Sequence, residues 1–185
     1  MMHLNRQGCS ELWLDAPTVL VRAGYGLRRE GEQDLPFLRT LYASTRAEEM
    51  RASGWTKKQQ EVFLAEQFRL QDAHYRREFP DTVRQIVVKD AQPVGRLYLR
   101  RVNLPLPARP EIRVNDIALL PVARSQGIGS ALMKAVLEIA AAEGLIVSLT
   151  VYEDNRALNL YHRLGFHGVT RENGRLLMRW RPQAG

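Results

Sequence analysis

Apolar positions in the second half of the chain change their period twice, and each change marks an element. Ile117 to Leu120 is an apolar run stopped by Pro121, the end of a strand that starts near Glu111. From Ile128 the apolar residues recur every three or four positions: Ile128, Leu132, Val136 and Ile139, with Met133, Leu137 and Ala140 beside them. That spacing predicts a helix with a wide buried stripe, and Gly144 is a suitable left-handed stop. Leu145 to Tyr152 is almost uninterrupted apolar and β-branched, the pattern of a strand covered on both faces. Strand, helix and strand make one parallel crossover unit. Asp154-Asn155 can then cap a short helix carrying Ala157, Leu160, Tyr161 and Leu164, ended by Gly165-Phe166.

The first half reads more weakly. Tyr25 to Arg29 suits a strand, and Asp34 can cap a helix bearing Leu35, Leu38, Leu41, Tyr42 and Thr45 that runs to about Gly54. Thr56 with Gln59 has the form of a capping box for a second helix, with Leu64, Phe68, Tyr75 and Phe79 on one side and Pro80 closing it. Thr82 to Lys89 and Val94 to Arg101 are two strands around the turn residues Asp90 to Pro93, and Asn173-Gly174 marks a terminal hairpin. Val102 to Pro110, with Pro105, Pro107 and Pro110, should be irregular. Residues 1 to 24 show no period and are expected to be a partly disordered N-terminal extension, leaving 25 to 185 as a single domain.

Composition bounds the function. With 185 residues, 45% of them hydrophobic, the chain can bury one substantial core. The single cysteine, Cys9, cannot form an internal disulfide, and Asp15 and Pro17 interrupt the early apolar stretch Leu12 to Val21. No signal peptide or membrane span is therefore expected, and the default is a cytoplasmic monomer or homodimer. The net charge of +7 comes from scattered pairs such as Arg28-Arg29, Arg76-Arg77 and Arg100-Arg101, which suits a solvated surface and the field of an anionic ligand rather than nucleic-acid binding. His3, His74, His162 and His167 have no metal-ligand spacing with each other or with Cys9, so no metal is expected.

The chemistry gathers at Arg124, Ser125, Gln126, Gly127, Ile128, Gly129 and Ser130, between the strand and the long helix. Two glycines let a ligand approach the backbone, and the first helical turn offers unpaired N–H groups and the positive end of its dipole. It is not a Walker A loop, because Gly129 is followed by Ser130 and Ala131, nor a dinucleotide fingerprint, because Leu132 stands where Gly or Ala is required. Taken alone, Arg124 to Gly129 reads more readily as an ordinary strand-to-helix turn.

With its flanks, the segment resembles the GNAT superfamily of N-acetyltransferases. The shared pattern is a fourth strand ending near a proline, an Arg/Gln-x-x-Gly-x-Gly/Ala loop, a helix, a fifth strand, an Asn, a Leu-Tyr and a Gly-Phe. Here these are Ile117 to Pro121, Arg124 to Gly129, Ser130 to Glu143, Val147 to Tyr152, Asn155, Leu160-Tyr161 and Gly165-Phe166, within residues 112 to 166. The resemblance implies an α/β (α+β) fold: a mixed, mostly antiparallel sheet of about six to seven strands, flanked by about four helices, with a parallel pair splayed around coenzyme A. It implies acetyl-CoA as donor and a primary amine, on a small molecule, peptide or protein, as acceptor, joined by direct attack without use of Cys9.

By the same resemblance, backbone groups of Ile117, Ala118 and Leu119 bond the pantetheine arm, with Leu119 N–H facing the thioester oxygen. The loop 124 to 130 holds the pyrophosphate, and Asn155 is a cofactor contact, a helix cap or both. Tyr161 is the general acid for the leaving thiolate, unless it is a core tyrosine. Strand alternation puts Glu111, Arg113, Asn115 and Ile117 on one face and Val114, Asp116 and Ala118 on the other. Glu111 is then the first candidate base and Asp116 the second, with a structural hydrogen bond as the other reading of Asp116. Trp55, with Arg51 and Glu48, stands either in an acceptor wall or in ordinary helix packing. The alternative function is a non-catalytic acyl-CoA-binding or interaction module with the same fold.

Overall fold

The computed structural model describes residues 12–103 and 110–182. Cys9, His3, Pro105 and Pro107 lie outside the described residues. The strands are β1 (Tyr25–Arg29), β2 (Val83–Lys89), β3 (Gln92–Val102), β4 (Glu111–Leu119), β5 (Ile146–Tyr152), β6 (His167–Glu172) and β7 (Arg175–Trp180). The helices are α1 (Thr18–Val21), α2 (Leu35–Thr45), α3 (Ala47–Ala52), α4 (Lys57–Glu78), α5 (Ile128–Glu143) and α6 (Leu158–Arg163). One sheet of seven strands runs in the order β1-β2-β3-β4-β5-β7-β6. Every neighbouring pair is antiparallel except β4 and β5, which run parallel through the α5 crossover.

Local chemistry explains most boundaries. Thr56 and Gln59 form the capping box of α4, with Gln59 N–H donating to Thr56 Oγ1 at 3.3 Å and Thr56 N–H to Gln59 Oε1 at 2.8 Å. Gly144 ends α5 at φ +66°, and the β6–β7 hairpin turns through Asn173 and Gly174 at φ +50° and +71°. The single helix expected from Asp34 to about Gly54 is two, because Arg46 leaves the helical region at φ −106° and ψ 7°. With α1, this brings the helices among the described residues to six rather than about four, none long and apolar enough to cross a membrane.

Neighbouring residues of a strand face opposite ways, so Ile86 and Val87 mark the two sides of the sheet. Val87 joins the main core with Leu132, Met133, Val136 and Ala140 of α5, while Ile86 joins a second cluster with Leu38 and Tyr42 of α2 and Phe68 of α4. The segment read as an N-terminal extension contributes Leu12, Leu14 and Leu20 to the main core. Gln85, fully buried, holds it there by accepting from Leu14 N–H at 3.2 Å and donating to Leu14 C=O at 2.8 Å.

One irregularity in β4 changes the expected chemistry. Tyr98 pairs with Asp116 but Leu99 pairs with Val114, so Asn115 is an extra residue in a bulge. A bulge shifts the phase of alternation. Strict alternation, which separates Asp116 from Glu111 and groups Ile117 with it, is thereby corrected. Ile117 and Leu119 pack into the α5-side core with Ile112 and Val114, while Asp116 shares the α4 side with Arg113 and Glu111.

The Gln85 clamp yields a stability prediction. Gln85→Met keeps the volume but leaves the Leu14 N–H and C=O buried without partners, and should lower the unfolding free energy by about 2 to 4 kcal/mol. Urea melts of the two proteins check this; a difference below about 0.5 kcal/mol, the scale of a surface change, would mean the N-terminal segment is not held by this contact.

Candidate active site

β4 and β5 pair only over Glu111 to Val114 and Ile146 to Leu149. Beyond that point both strands continue, to Leu119 and Tyr152, without pairing to each other. The N–H of Leu120 donates to Val94 C=O on β3 at 2.8 Å. Because successive N–H groups of a strand leave by opposite edges, those of Leu119 and Ile117 are directed into the gap, and that of Ala118 toward β3. Gly95 lets β3 come close to this end of β4, where a Cβ would meet Ala118 O at 2.6 Å.

At the mouth of the gap lies the glycine loop. Its side chains mostly turn inward to fix it: Arg124 Nε donates to Leu119 C=O at 2.8 Å and Nη2 reaches Ser44 of α2, while Gln126 accepts from Tyr25 hydroxyl at 2.9 Å and donates to Val122 C=O at 2.6 Å. Gly127 sits at φ +78°, with open space where a Cβ would stand. The first bond of α5 runs from Ala131 N–H to Gly127 C=O, so the N–H groups of Ile128, Gly129 and Ser130 precede the helical ladder. Ser125 takes the left-handed conformation at φ +58°. Gly127, Ser130, Lys134 and Glu138 line a cleft of about 300 Å³ together with Pro17 and Val19. Bare backbone donors of this kind can hold an anion; both Lys134 and Glu138 stand on the same cleft.

Tyr161 on α6 is 6% exposed and packs edge-on against Phe166, with ring centroids 5.8 Å apart. Burial, and secondarily the charge of Asp116, push its hydroxyl up to about 12. Asn155 accepts from Ala157 N–H at 2.9 Å and so caps the turn that enters α6. Trp55 is exposed and meets Phe63 edge-on at 5.0 Å, while Glu48 of α3 pairs with Arg156 at 2.8 Å.

The two carboxylates are separated by their partners. Asp116 lies beyond the point of parting, bound by Arg96, which is 5% exposed. Burial opposes the Arg96 charge, but Asp116 outweighs it and holds the guanidinium above its usual range. Glu111 lies at the closed end of the pair, where Oε1 accepts from Ser148 hydroxyl at 2.7 Å and Oε2 is 3.8 Å from Arg179 Nε. Asp116 therefore lies past the point where β4 and β5 part, and Glu111 within their paired stretch. Arg96 carries no local sequence signal, because its role depends on strand pairing. Among the described residues no cluster of His, Cys, Asp or Glu could hold a metal ion.

The family model described as Acetyltransferase (GNAT) family matches residues 42–166, over half of the sequence. The chain belongs to the GNAT acetyltransferase family. Among solved structures, this GNAT chain is similar to the PaiA N-acetyltransferase of Thermoplasma acidophilum in complex with coenzyme A, at 16% identity and TM-score 0.62, covering 85% of this chain and 98% of that one. It is similar to PH1933 of Pyrococcus horikoshii OT3, at 16% identity and TM-score 0.62, covering 86% and 99%. It is also similar to Arabidopsis thaliana Naa50 bound to a bisubstrate analogue, CoA-Ac-MVNAL, at 17% identity and TM-score 0.52, covering 85% and 98%. At these identities the likeness is one of fold. No curated protein matches the sequence.

Burial of the Tyr161 hydroxyl makes stability depend on pH in the alkaline range. An unfolded tyrosine titrates near 10, so below about pH 10 both states keep the proton, and between about 10 and 12 the unfolded chain loses it first. Stability should fall across that window, and Tyr161→Phe should escape about 2 to 3 kcal/mol of the fall. Denaturant melts of the two proteins at intervals through this range measure the difference, and parallel curves would contradict the buried hydroxyl.

Proposed function

We propose that this protein transfers an acetyl group from acetyl-CoA to a primary amine by direct attack. The observation that carries the reading is the conjunction of an unpaired β4 edge with a backbone anion cradle at its mouth. The relatives solved with coenzyme A or a coenzyme A conjugate support the same donor. Acetyl-CoA supplies an activated acyl group as a thioester.

The residues present fit that donor. N–H groups of Gly127 to Ser130 suit a pyrophosphate, and the edge from Ile117 to Leu119 suits an extended amide-bearing arm that bonds as a strand would. Leu119 N–H can donate to the thioester oxygen as negative charge develops there, a preorganised contact whose removal typically costs a hundredfold or more. Asn155 keeps its Nδ2 available for the arm while its oxygen caps α6.

Tyr161 acts on the departing sulfur. A phenol near 12 is a weaker acid than a thiol near 8.5, so complete proton transfer would be uphill by about 5 kcal/mol. Its hydroxyl therefore serves first as a hydrogen-bond donor to the developing thiolate. Asp116, nearer the gap than Glu111, takes the ammonium proton from the acceptor directly or through water, and Arg96 sets its orientation. The engagement of both carboxylates favours a second reading, a module that binds acyl-CoA without turnover.

Two variants separate these readings. In Gly127→Val, the left-handed backbone is strained and the side chain enters the cradle, so calorimetry should give a coenzyme A Kd raised roughly tenfold or more, while Ser125→Ala stays near wild type. Unchanged affinity in a folded Gly127→Val protein would remove the loop from the cofactor site. Tyr161→Phe should keep coenzyme affinity and lower turnover roughly tenfold to a thousandfold on any accepted amine. Equal rates would take Tyr161 out of the mechanism, and binding without turnover on a broad amine panel would favour the module.

A further inference from the structure

The α4 side of the sheet carries a row of arginines that the chemistry above does not use. Arg100 on β3 pairs in register with Arg113 on β4, Arg113 with Ser148 on β5, and Ser148 with Arg179 on β7. Residues paired across strands project from the same side, so the four side chains form one line with Cα atoms about 5 Å apart. Like charges set directly opposite each other repel.

The protein offsets little of this charge. Arg100 lies over the Phe79 ring at 4.4 Å, and Arg113 donates to Ser148 Oγ at 3.2 Å and to the Thr150 hydroxyl. Neither has a carboxylate within ion-pair distance among the described residues. Arg179 has an acidic neighbour in Glu111, whose Oε2 is 3.8 Å from its Nε. The Nε atoms of Arg100 and Arg179 and Oε2 of Glu111 are buried without hydrogen-bond partners. Burial lowers the pKa of Arg113, with Glu111 opposing and Arg100 and Arg179 adding to the effect. Buried donors on a cation cost more unpaired than neutral ones, and an oxyanion satisfies several guanidinium forks at once.

Position gives the row a purpose. It crosses β4 and β5 one residue before they part, on the side that the bulge gives to Asp116. Asp116 lies three residues along the strand, within about 10 Å. We propose that the row binds a carboxylate or phosphate of the acceptor, making the substrate an amine that carries a negative group, with its nitrogen directed at the gap. A polyamine or other purely cationic amine is disfavoured by the same charges. This rests on the transferase reading above.

The test has a binding arm and a kinetic arm. Succinate and inorganic phosphate, each titrated at constant ionic strength against chloride, separate the two oxyanions by thermal melting. One of them should raise the wild-type Tm by roughly 3 to 5 °C at saturation, an effect lost in R113Q and R100Q and kept in G127V. R100Q, on the flank of the row, carries the test if R113Q does not fold. In the kinetic arm, an acidic amine and its carboxamide are compared as acceptors. The acid should be preferred, and that preference in kcat/KM should fall roughly ten- to a hundredfold in R113Q. Stabilisation that survives both arginine variants and is lost in G127V would assign the anion to the glycine loop and overturn the proposal. Transfer that favours neutral or cationic amines would overturn it while leaving the transferase standing; arginine-dependent anion binding without any acetyl transfer would do the reverse.

Discussion

Two parallel strands that stop pairing halfway along leave backbone groups with nowhere to bond inside the fold. Past Val114 and Leu149, β4 loses β5 as a partner on one edge but keeps β3 on the other. The N–H groups of Ile117 and Leu119 are the consequence, since an amide in a protein interior must find an acceptor or cost free energy. Each neighbouring element serves this opening. The Asn115 bulge lies where β4 parts from β5, β7 keeps β5 in the sheet, and the loop before α5 is tied to the end of β4 by Arg124, which donates to Leu119 C=O. A ligand with an extended polar arm and a polyanionic end meets the donors of β4 and those of the glycine loop.

The two faces of the sheet differ in how they support that opening. On the α5 side, Ile112 and Val114 are buried in the main core and the half-buried Ile117 and Leu119 pack against it. On the α4 side, apolar packing by Leu38, Tyr42 and Phe68 gives way toward β4 to Arg96, Arg100, Arg113, Asp116 and Glu111. These charges are held by aromatic rings, hydroxyls and the Arg96–Asp116 ion pair. Such an arrangement costs stability in isolation and becomes favourable when a complementary group binds. The opening thus has an apolar floor and a charged, polar wall.

Much of this was legible in the residues. The glycine loop, the α5 stripe, the Thr56 capping box and the Asn173-Gly174 turn each act through neighbours in sequence, and each stands in the fold as its local chemistry implies. What escaped depends on pairing between distant segments. Asn115 gives no sign of a bulge, so strict alternation assigned Asp116 and Ile117 to the wrong sides. Leu12 and Leu14 show no period because their segment is held by burial in the main core and by a single distant side chain, Gln85, bonded to Leu14. The arginine row spans residues 100 to 179 and exists only in the cross-strand register. The break at Arg46 was equally silent, lacking Gly or Pro to announce it.

Whether the parted edge of β4 is the seat of the coenzyme is the point on which everything turns, and backbone amide NMR reads it directly. On titration with coenzyme A, the ¹⁵N–¹H signals of Ile117, Leu119 and Gly127 to Ser130 should shift together with one Kd. Those of Ile112 and Val114, inside the paired part of the strand, should stay nearly still. Shifts confined to the loop, with Ile117 and Leu119 unmoved, would contradict an arm bound between the parted strands.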